Sequence, residues 1–214
     1  MLRRLETYGF HPSTTPEQVE DLARVLRRTG WFIPEVLDSA VGLNRSSAGV
    51  DLVWEHSYES PDAYARYMCN PYHICILDRY LLPEAPECIT ASRRELMLGL
   101  MGYEIDGAPF RRDGGIRRIV ALKAAGDAHD FDAFAAELEA RPGLAVSVVA
   151  PNIMGLEWFP TGWTHLWEQA YDDDDAMQAA IAGEADVLER GPVTEWIDIH
   201  YVIDREDAPA EVVR

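Results

Sequence analysis

The sequence predicts an α+β fold made of two ferredoxin-like βαββαβ repeats in one chain. Three observations predict it. Strand-type alternation and helix-type stripes follow one another in that order on both sides of a Gly-, Pro- and charge-rich stretch, Asp106 to Gly115 (DGAPFRRDGG). Gly162 to Tyr171 (GWTHLWEQAY) lies over Gly49 to Tyr58 (GVDLVWEHSY) at an offset of 162 − 49 = 113, with Gly, Trp-Glu and Tyr coinciding without a gap. Ile116-Arg117-Arg118-Ile119 echoes Leu2-Arg3-Arg4-Leu5. The repeats are expected over residues 1–105 and 116–204, with a linker at 106–115 and a loose tail at 205–214.

In the first repeat, Leu2 to Phe10 reads as a strand ended by His11-Pro12-Ser13. Thr15 is an N-cap with Pro16 at the first helical position and Glu17 in the first turn. Val19, Leu22, Ala23, Val25 and Leu26 then form a helical stripe to about Arg28. Trp31 to Pro34 is expected as an apolar loop, Glu35 to Leu43 as a strand and Asn44 to Gly49 as a loop. In the next strand Val50, Leu52, Trp54, His56 and Tyr58 alternate with Asp51, Val53, Glu55 and Ser57. Ser60-Pro61 starts a helix over Asp62 to Met68, and Pro71 interrupts it before a second apolar run, His73 to Leu82. Pro83 to Pro86 breaks the chain, Ser92 to Leu100 is compatible with helix or strand, and Met101 to Ile105 closes the repeat as a strand.

The second repeat offers a helix over Phe131 to Ala140, a strand over Leu144 to Ile153, the strand carrying Trp167, a helix opened by Asp172 to Asp175, and a last strand, Glu195 to Asp204. A sheet with helices on one face keeps a second apolar face that needs a partner. Two repeats in one chain therefore predict two four-stranded sheets packed face to face.

Composition narrows the class. A chain of 214 residues with 48% hydrophobic content holds a real core. The net charge of −18 argues against nucleic acid or an anionic membrane as partner. Cys69, Cys75 and Cys88 show no metal spacing, and Cys69 and Cys75 are expected as small buried hydrophobes. No apolar run reaches the roughly 20 residues that cross a bilayer, no signal peptide opens the chain, and a cytoplasmic protein is the default expectation. No dinucleotide fingerprint, Walker loop or G-x-S-x-G is present.

The chemistry-bearing residues gather in the first repeat. By the period-two rule Arg4, Glu6 and Tyr8 share one face of the first strand, and Trp54, His56 and Tyr58 one face of the third. If those faces coincide, they join Tyr67, Asn70, Tyr72 and His73 around one site. Arg4 and Glu6 are then expected as an ion pair, because either charge buried alone is costly. Histidine suits proton transfer near neutral pH, and a neighbouring tyrosine can donate to a carbonyl or a developing enolate. Over Tyr67, Asn70, Pro71 and His73 the second repeat has Ala180, Gly183, Glu184 and Asp186, whereas His165 lies over Leu52. One working half and one structural half are expected. Trp54 and Trp167 are expected in the core.

Ser60, Ala63 and Tyr67, then Asn70-Pro71-Tyr72-His73, then Leu82-Pro83 follow an order that resembles the stress-responsive dimeric α/β-barrel (Dabb) family. That family carries S-x-x-A-x-x-x-Y followed by H-P-x-H, and here Asn70 replaces the first His. The resemblance implies an intramolecular version of the dimeric α/β barrel. The family includes cofactor-free polyketide cyclases of the olivetolic acid cyclase kind. Their catalytic His ends H-P-x-H and their partner Tyr lies six residues earlier. This implies His73 as general base and Tyr67 as electrophilic donor. Arg4, Glu6, Tyr8, Trp54, His56, Tyr58, Asn70 and Tyr72 are the residues expected to line the substrate site. Two further histidine positions of those cyclases fall on Arg4 and Leu52. No metal and no cofactor are implied by the cyclase reading.

Three functions stay open on the sequence. One is a cofactor-independent cyclase, isomerase or lyase acting on a small aromatic or polyketide-like carbonyl compound. Another is a cofactor-free or haem-dependent monooxygenase-type enzyme on the same kind of barrel, with His73, His56 or His165 as haem ligand. The third is a non-catalytic stress-responsive protein that binds a small molecule. In each case the chain is expected as a monomer with an internal pseudo-dimer, or as a homodimer.

Overall fold

A computed structural model describes residues 1–82, 85, 88–90, 100–104, 114–125, 128–142, 144, 146–153 and 162–209. The first repeat runs β1 (Leu2–Tyr8), α1 (Pro16–Arg27), α2 (Thr29–Phe32), β2 (Val36–Leu43), β3 (Leu52–Tyr58), α3 (Pro61–Met68), a π-helical turn (His73–Leu77), α4 (Asp78–Leu81) and β4 (Leu100–Glu104). The second runs β5 (Ile116–Ala124), α5 (Ala128–Glu139), β6 (Val146–Pro151), β7 (His165–Tyr171), α6 (Asp174–Ile181), α7 (Glu184–Arg190) and β8 (Val193–Val202). The strands form two four-stranded antiparallel sheets, ordered β2-β3-β1-β4 and β6-β7-β5-β8. Both have the ferredoxin-like order, so the fold is α+β as expected.

Local signals explain most boundaries. Thr15 and Gln18 close a capping box at α1. Ser60 accepts from the Ala63 amide and Asp173 from the Ala176 amide at the starts of α3 and α6. Gly49 and Gly162, which match in the repeat, both take φ near 75°, so the turn ahead of each third strand asks for glycine.

Several expectations need correction. Trp31 and Phe32 belong to a helical turn, not a loop, because Ile33 N–H returns to the Thr29 carbonyl before Pro34 stops the chain. The helix expected from Asp172 onward is divided in two: a left-handed Gly183 ends the first part and α7 follows it. Cys69 and Cys75 are exposed, since the end of α3 and the π turn direct them away from the core. Beyond β8 the chain is tied down at Asp204 to Glu206 rather than loose. The linker at 106–113, the stretch 91–99 and the prolines at 83 and 86 lie outside the described residues.

Strand β1 is buried along its whole length, as are β3 and most of β5 and β7. Each of these strands has a helix-covered face and a face turned to the other sheet. Leu2, Tyr8, Leu52, Trp54 and Tyr58 pack with α1 and α3, whereas Leu5, Val53 and Tyr103 pack with Ile119, Ala121, Leu166, Ile199 and Tyr201. Between the sheets lies a charged centre. Glu55 receives Arg117 at 3.1 Å and Arg3 at 3.5 Å, and Glu168 receives Arg3 at 3.0 Å and also Arg117. Tyr201 donates to Glu55 at 2.6 Å and Tyr103 to Glu168. Each carboxylate thus faces both guanidiniums and one phenol from the opposite sheet.

Edges also meet. Val41 and Asp204 exchange backbone hydrogen bonds at 2.9 Å, Arg45 N–H reaches the His200 carbonyl at 2.8 Å, and Ile153 N–H reaches the Gly102 carbonyl at 2.7 Å. At the first junction Gly42 has no room for a side chain: a Cβ there would sit 2.4 Å from the Tyr201 ring. Gly42→Ala is expected to lower stability by about 1–3 kcal/mol through overpacking, read as a lower urea midpoint. Glu55→Gln is expected to cost more, about 3–5 kcal/mol, because it leaves buried guanidiniums short of charge. An unchanged midpoint in either variant would contradict the packing described here.

Candidate functional site

Under α3 and the π turn, the helix-covered face of the first sheet carries a buried polar cluster. The antiparallel register places Arg4 opposite His56 and Glu6 opposite Trp54. Arg4, Glu6, Trp54, His56 and Tyr58 therefore point the same way, into α3. Tyr67 comes from the last turn of α3. His73 opens the π turn, whose wider winding follows the break at Pro71 and is closed by the Asp78 N–H returning to the His73 carbonyl.

Arg4 is the hub. Its Nη2 meets Glu6 at 2.7 Å, and its Nη1 donates to His56 Nε2 at 3.0 Å and to the Tyr67 hydroxyl at 3.4 Å. Its guanidinium also lies 5.4–5.8 Å from the rings of Trp54, Tyr64 and Tyr67. Burial alone would lower the Arg4 pKa, but Glu6 and the surrounding tyrosines hold it well above the usual value. The expected Arg4–Glu6 ion pair is present.

His56 is held neutral. Burial, then Arg4, then His73 push its pKa well below the usual value. A guanidinium only donates, so His56 Nε2 accepts. The proton of the neutral ring then sits on Nδ1, which donates to the Tyr58 oxygen at 2.9 Å. Burial raises the hydroxyl pKa of both Tyr58 and Tyr67. Tyr67, an acceptor for Arg4, keeps its own proton as a donor. The His73 ring packs edge-on against Tyr67 at 4.5 Å, and His56 against Tyr67 at 5.4 Å. His73, at 8% exposure, is the least enclosed of this group.

The remaining expected residues lie around this centre. Tyr8 is fully buried in the core between sheet and helices. The Trp54 ring lies 4.1 Å from that of His56, tilted by 31°, and its N–H donates to Ser39; it is core as expected. Asn70 turns its side-chain oxygen to the Tyr72 N–H at 2.9 Å, so it caps the turn that leads to His73. Tyr72 is half-buried and stacks on Phe32 rather than on the cluster.

The matching place in the second repeat holds other groups. Gln169 stands where His56 does, and Arg118 donates to it at 2.7 Å. Arg118 also pairs with Glu184 at 2.6 Å and Asp198 at 2.7 Å, and Tyr171 donates to Gln169 at 2.6 Å. The acid that balances the arginine has moved from the strand to α7 and β8. Glu184 was invisible as a partner in the sequence, because nothing local marks a carboxylate 66 positions from its arginine (184 − 118).

A haem ligand would need a free imidazole nitrogen beside a flat open space. His56 has both nitrogens engaged. The rings of Tyr58, Tyr64 and Tyr67 pack together at 5.2–5.9 Å between centroids and fill the space beside it. His165 lies flat on Phe131 at 3.9 Å with Nδ1 on Thr164. The surroundings of His56 do not fit a haem. Among the described residues no group of three or more His, Cys, Asp or Glu is placed to hold a metal ion, and no helix is long and apolar enough to cross a membrane.

No protein-family model matches the chain, and no curated protein does. Solved structures share its fold over almost its whole length. An anthrone oxidase-like protein aligns with a TM-score of 0.58 at 17% identity, covering 99% of this chain and 94% of the other. A monooxygenase candidate from Lactobacillus acidophilus gives 0.58 at 12%, covering 95% and 93%. Chlorite dismutase from Candidatus Nitrospira defluvii, in complex with imidazole, gives 0.58 at 8%, covering 95% and 90%. At these identities the likeness is one of fold.

The neutral His56 makes stability depend on pH. An unfolded histidine gains its proton near pH 6.5, whereas folded His56 resists it until well below. Its contribution is therefore complete above about 6.5 and is lost as the pH falls below that, at up to about 1.4 kcal/mol per pH unit. Urea unfolding between pH 7.5 and 5.5 should show this slope, and His56→Gln, the second repeat's own choice, should flatten it. Identical slopes would mean that His56 takes up its proton in the folded protein as readily as in the unfolded one.

Proposed function

We propose that the chain is a cofactor-independent acid/base enzyme of the Dabb type that acts on a small aromatic or polyketide-like carbonyl compound. The observation that carries this reading is the line Arg4–Tyr67–His73. Arg4 donates to the Tyr67 oxygen, which makes the phenol a stronger hydrogen-bond donor, and His73 packs against the same ring. A substrate carbonyl that accepts from Tyr67 would develop enolate charge in the field of Arg4. His73 would remove the α-proton, and aldol closure, isomerisation or cleavage would follow from the enolate. Neutral His56 holds Arg4 in place without adding charge. The central Arg–Glu pairs and the joined strand edges support a further part of the reading, that the two sheets form an intramolecular version of a dimeric α/β barrel, with the second repeat as its structural half.

The test is a pair of variants, Tyr67→Phe and His73→Ala, assayed on β-polyketone and phenolic carbonyl compounds. Each should lose roughly 100- to 10,000-fold in kcat with its unfolding midpoint close to wild type. Full activity in both would remove the proposal.

A cofactor-free oxygenase is the second reading. Its support is that the anthrone oxidase-like protein and the monooxygenase candidate align over almost the whole chain. It begins with the same deprotonation, after which the carbanion reacts with dioxygen. An oxygen electrode separates the two: turnover without oxygen uptake belongs to the first reading, stoichiometric uptake to the second. Protein expressed with added haem should show no Soret band, and a stable band would overturn the cofactor-free reading of the site.

A further inference from the structure

The segment after β8 crosses back onto the first repeat. Beyond its backbone exchange with Val41, Asp204 takes Arg27 at 2.5 Å, and Arg205 reaches Asp38 at 3.4 Å. Glu206 then accepts from Arg28 through both oxygens, from Nε at 2.9 Å and from Nη2 at 2.7 Å. Such a fork is stronger and more directional than a single charged hydrogen bond. The Glu206 backbone carbonyl takes the Trp31 indole N–H at 3.1 Å, and the Arg28 guanidinium lies 4.8 Å over that indole.

These ties matter because of what they hold. Helix α2 is one turn of four residues, and its N-cap, Arg28, makes no side-chain cap bond. A single turn fixes several dihedral angles for few hydrogen bonds and is unstable alone. The buried Thr29, whose hydroxyl donates to the Val25 carbonyl, ties it to α1, and Arg28 and Trp31 tie it to the chain beyond β8. Phe32, the last residue of α2, stacks on Tyr72 at 4.7 Å with 17° between the planes. Tyr72 directly precedes His73. Its N–H is capped by Asn70, while Pro71 beside it has no N–H to give.

We propose that Glu206, supplied by the chain just beyond the second repeat, is a positioning residue for His73 in the first. It acts through Arg28 and Trp31 on α2, and through the Phe32–Tyr72 stack on the turn that carries the imidazole. The functional consequence rests on the acid/base reading of His73, but the coupling itself does not.

The test separates the two. The full chain has six histidines, whose ring C–H signals can be followed by NMR in wild type, Glu206→Gln and Phe32→Ala. The His73 signal should shift or broaden in both variants, while those of His165 and His200 stay in place. The swapped pair Arg28→Glu with Glu206→Arg should restore it. An unmoved His73 signal in both single variants would overturn the proposal, as would equal shifts at His165. If the acid/base reading also holds, Glu206→Gln should lower kcat by roughly ten- to a hundredfold. A shifted His73 signal with unchanged kcat keeps the coupling and counts against the catalytic role of His73.

Discussion

Two guanidiniums and two carboxylates sealed between the sheets set the conditions for the rest of the molecule. Arg3, Glu55, Arg117 and Glu168 are each at most 1% exposed, and each acid touches a cation from both repeats. Removing such charges from water is costly, and only their mutual geometry, completed by Tyr103 and Tyr201, offsets it. The burial says little about net stability. It says much about register, because a slip of one residue in β1 would send Arg4 into this centre and Arg3 under the helices. The two adjacent arginines of each first strand thus divide between two tasks. Arg3 and Arg117 join the sheets, and Arg4 and Arg118 organise the polar groups beneath the helices.

Much of this was legible in the sequence, and the reason is periodicity. The alternation along Arg4, Glu6, Tyr8 and along Trp54, His56, Tyr58 needs only the pleat, so their shared face could be read without a structure. The capping box at Thr15 and the break at Pro71 are equally local. What could not be read depends on distance along the chain. Glu55 and Glu168 stood inside the matched Trp-Glu pairs, yet only the opposite sheet makes them partners of Arg117 and Arg3. The π turn was hidden because His73 to Leu77 (HICIL) has no pattern that distinguishes it from an ordinary helix. The tie between Glu206 and Arg28 spans nearly the whole chain and leaves no local mark at either end.

The two repeats also show how one scaffold carries unlike polar centres. In both, an arginine on the first strand donates to a side chain directly across on the third, His56 in one and Gln169 in the other. Glutamine offers a similar acceptor without a proton to exchange. The acids differ as well: Glu6 lies beside Arg4 on the same strand, whereas Glu184 and Asp198 approach Arg118 from α7 and β8. The backbone frame is common, and the capacity for proton chemistry differs through a few side chains.

Because both sheets belong to one polypeptide, their association does not weaken on dilution. The partner is always present at an effective concentration set by the connecting chain. A pair of separate subunits would have to keep two identical polar centres, since every substitution would appear twice. Here a change such as glutamine for histidine touches one half only. Covalent continuity therefore releases one centre from the demands on the other, and a single chain can hold one centre with an imidazole opposite its arginine and one with an amide there.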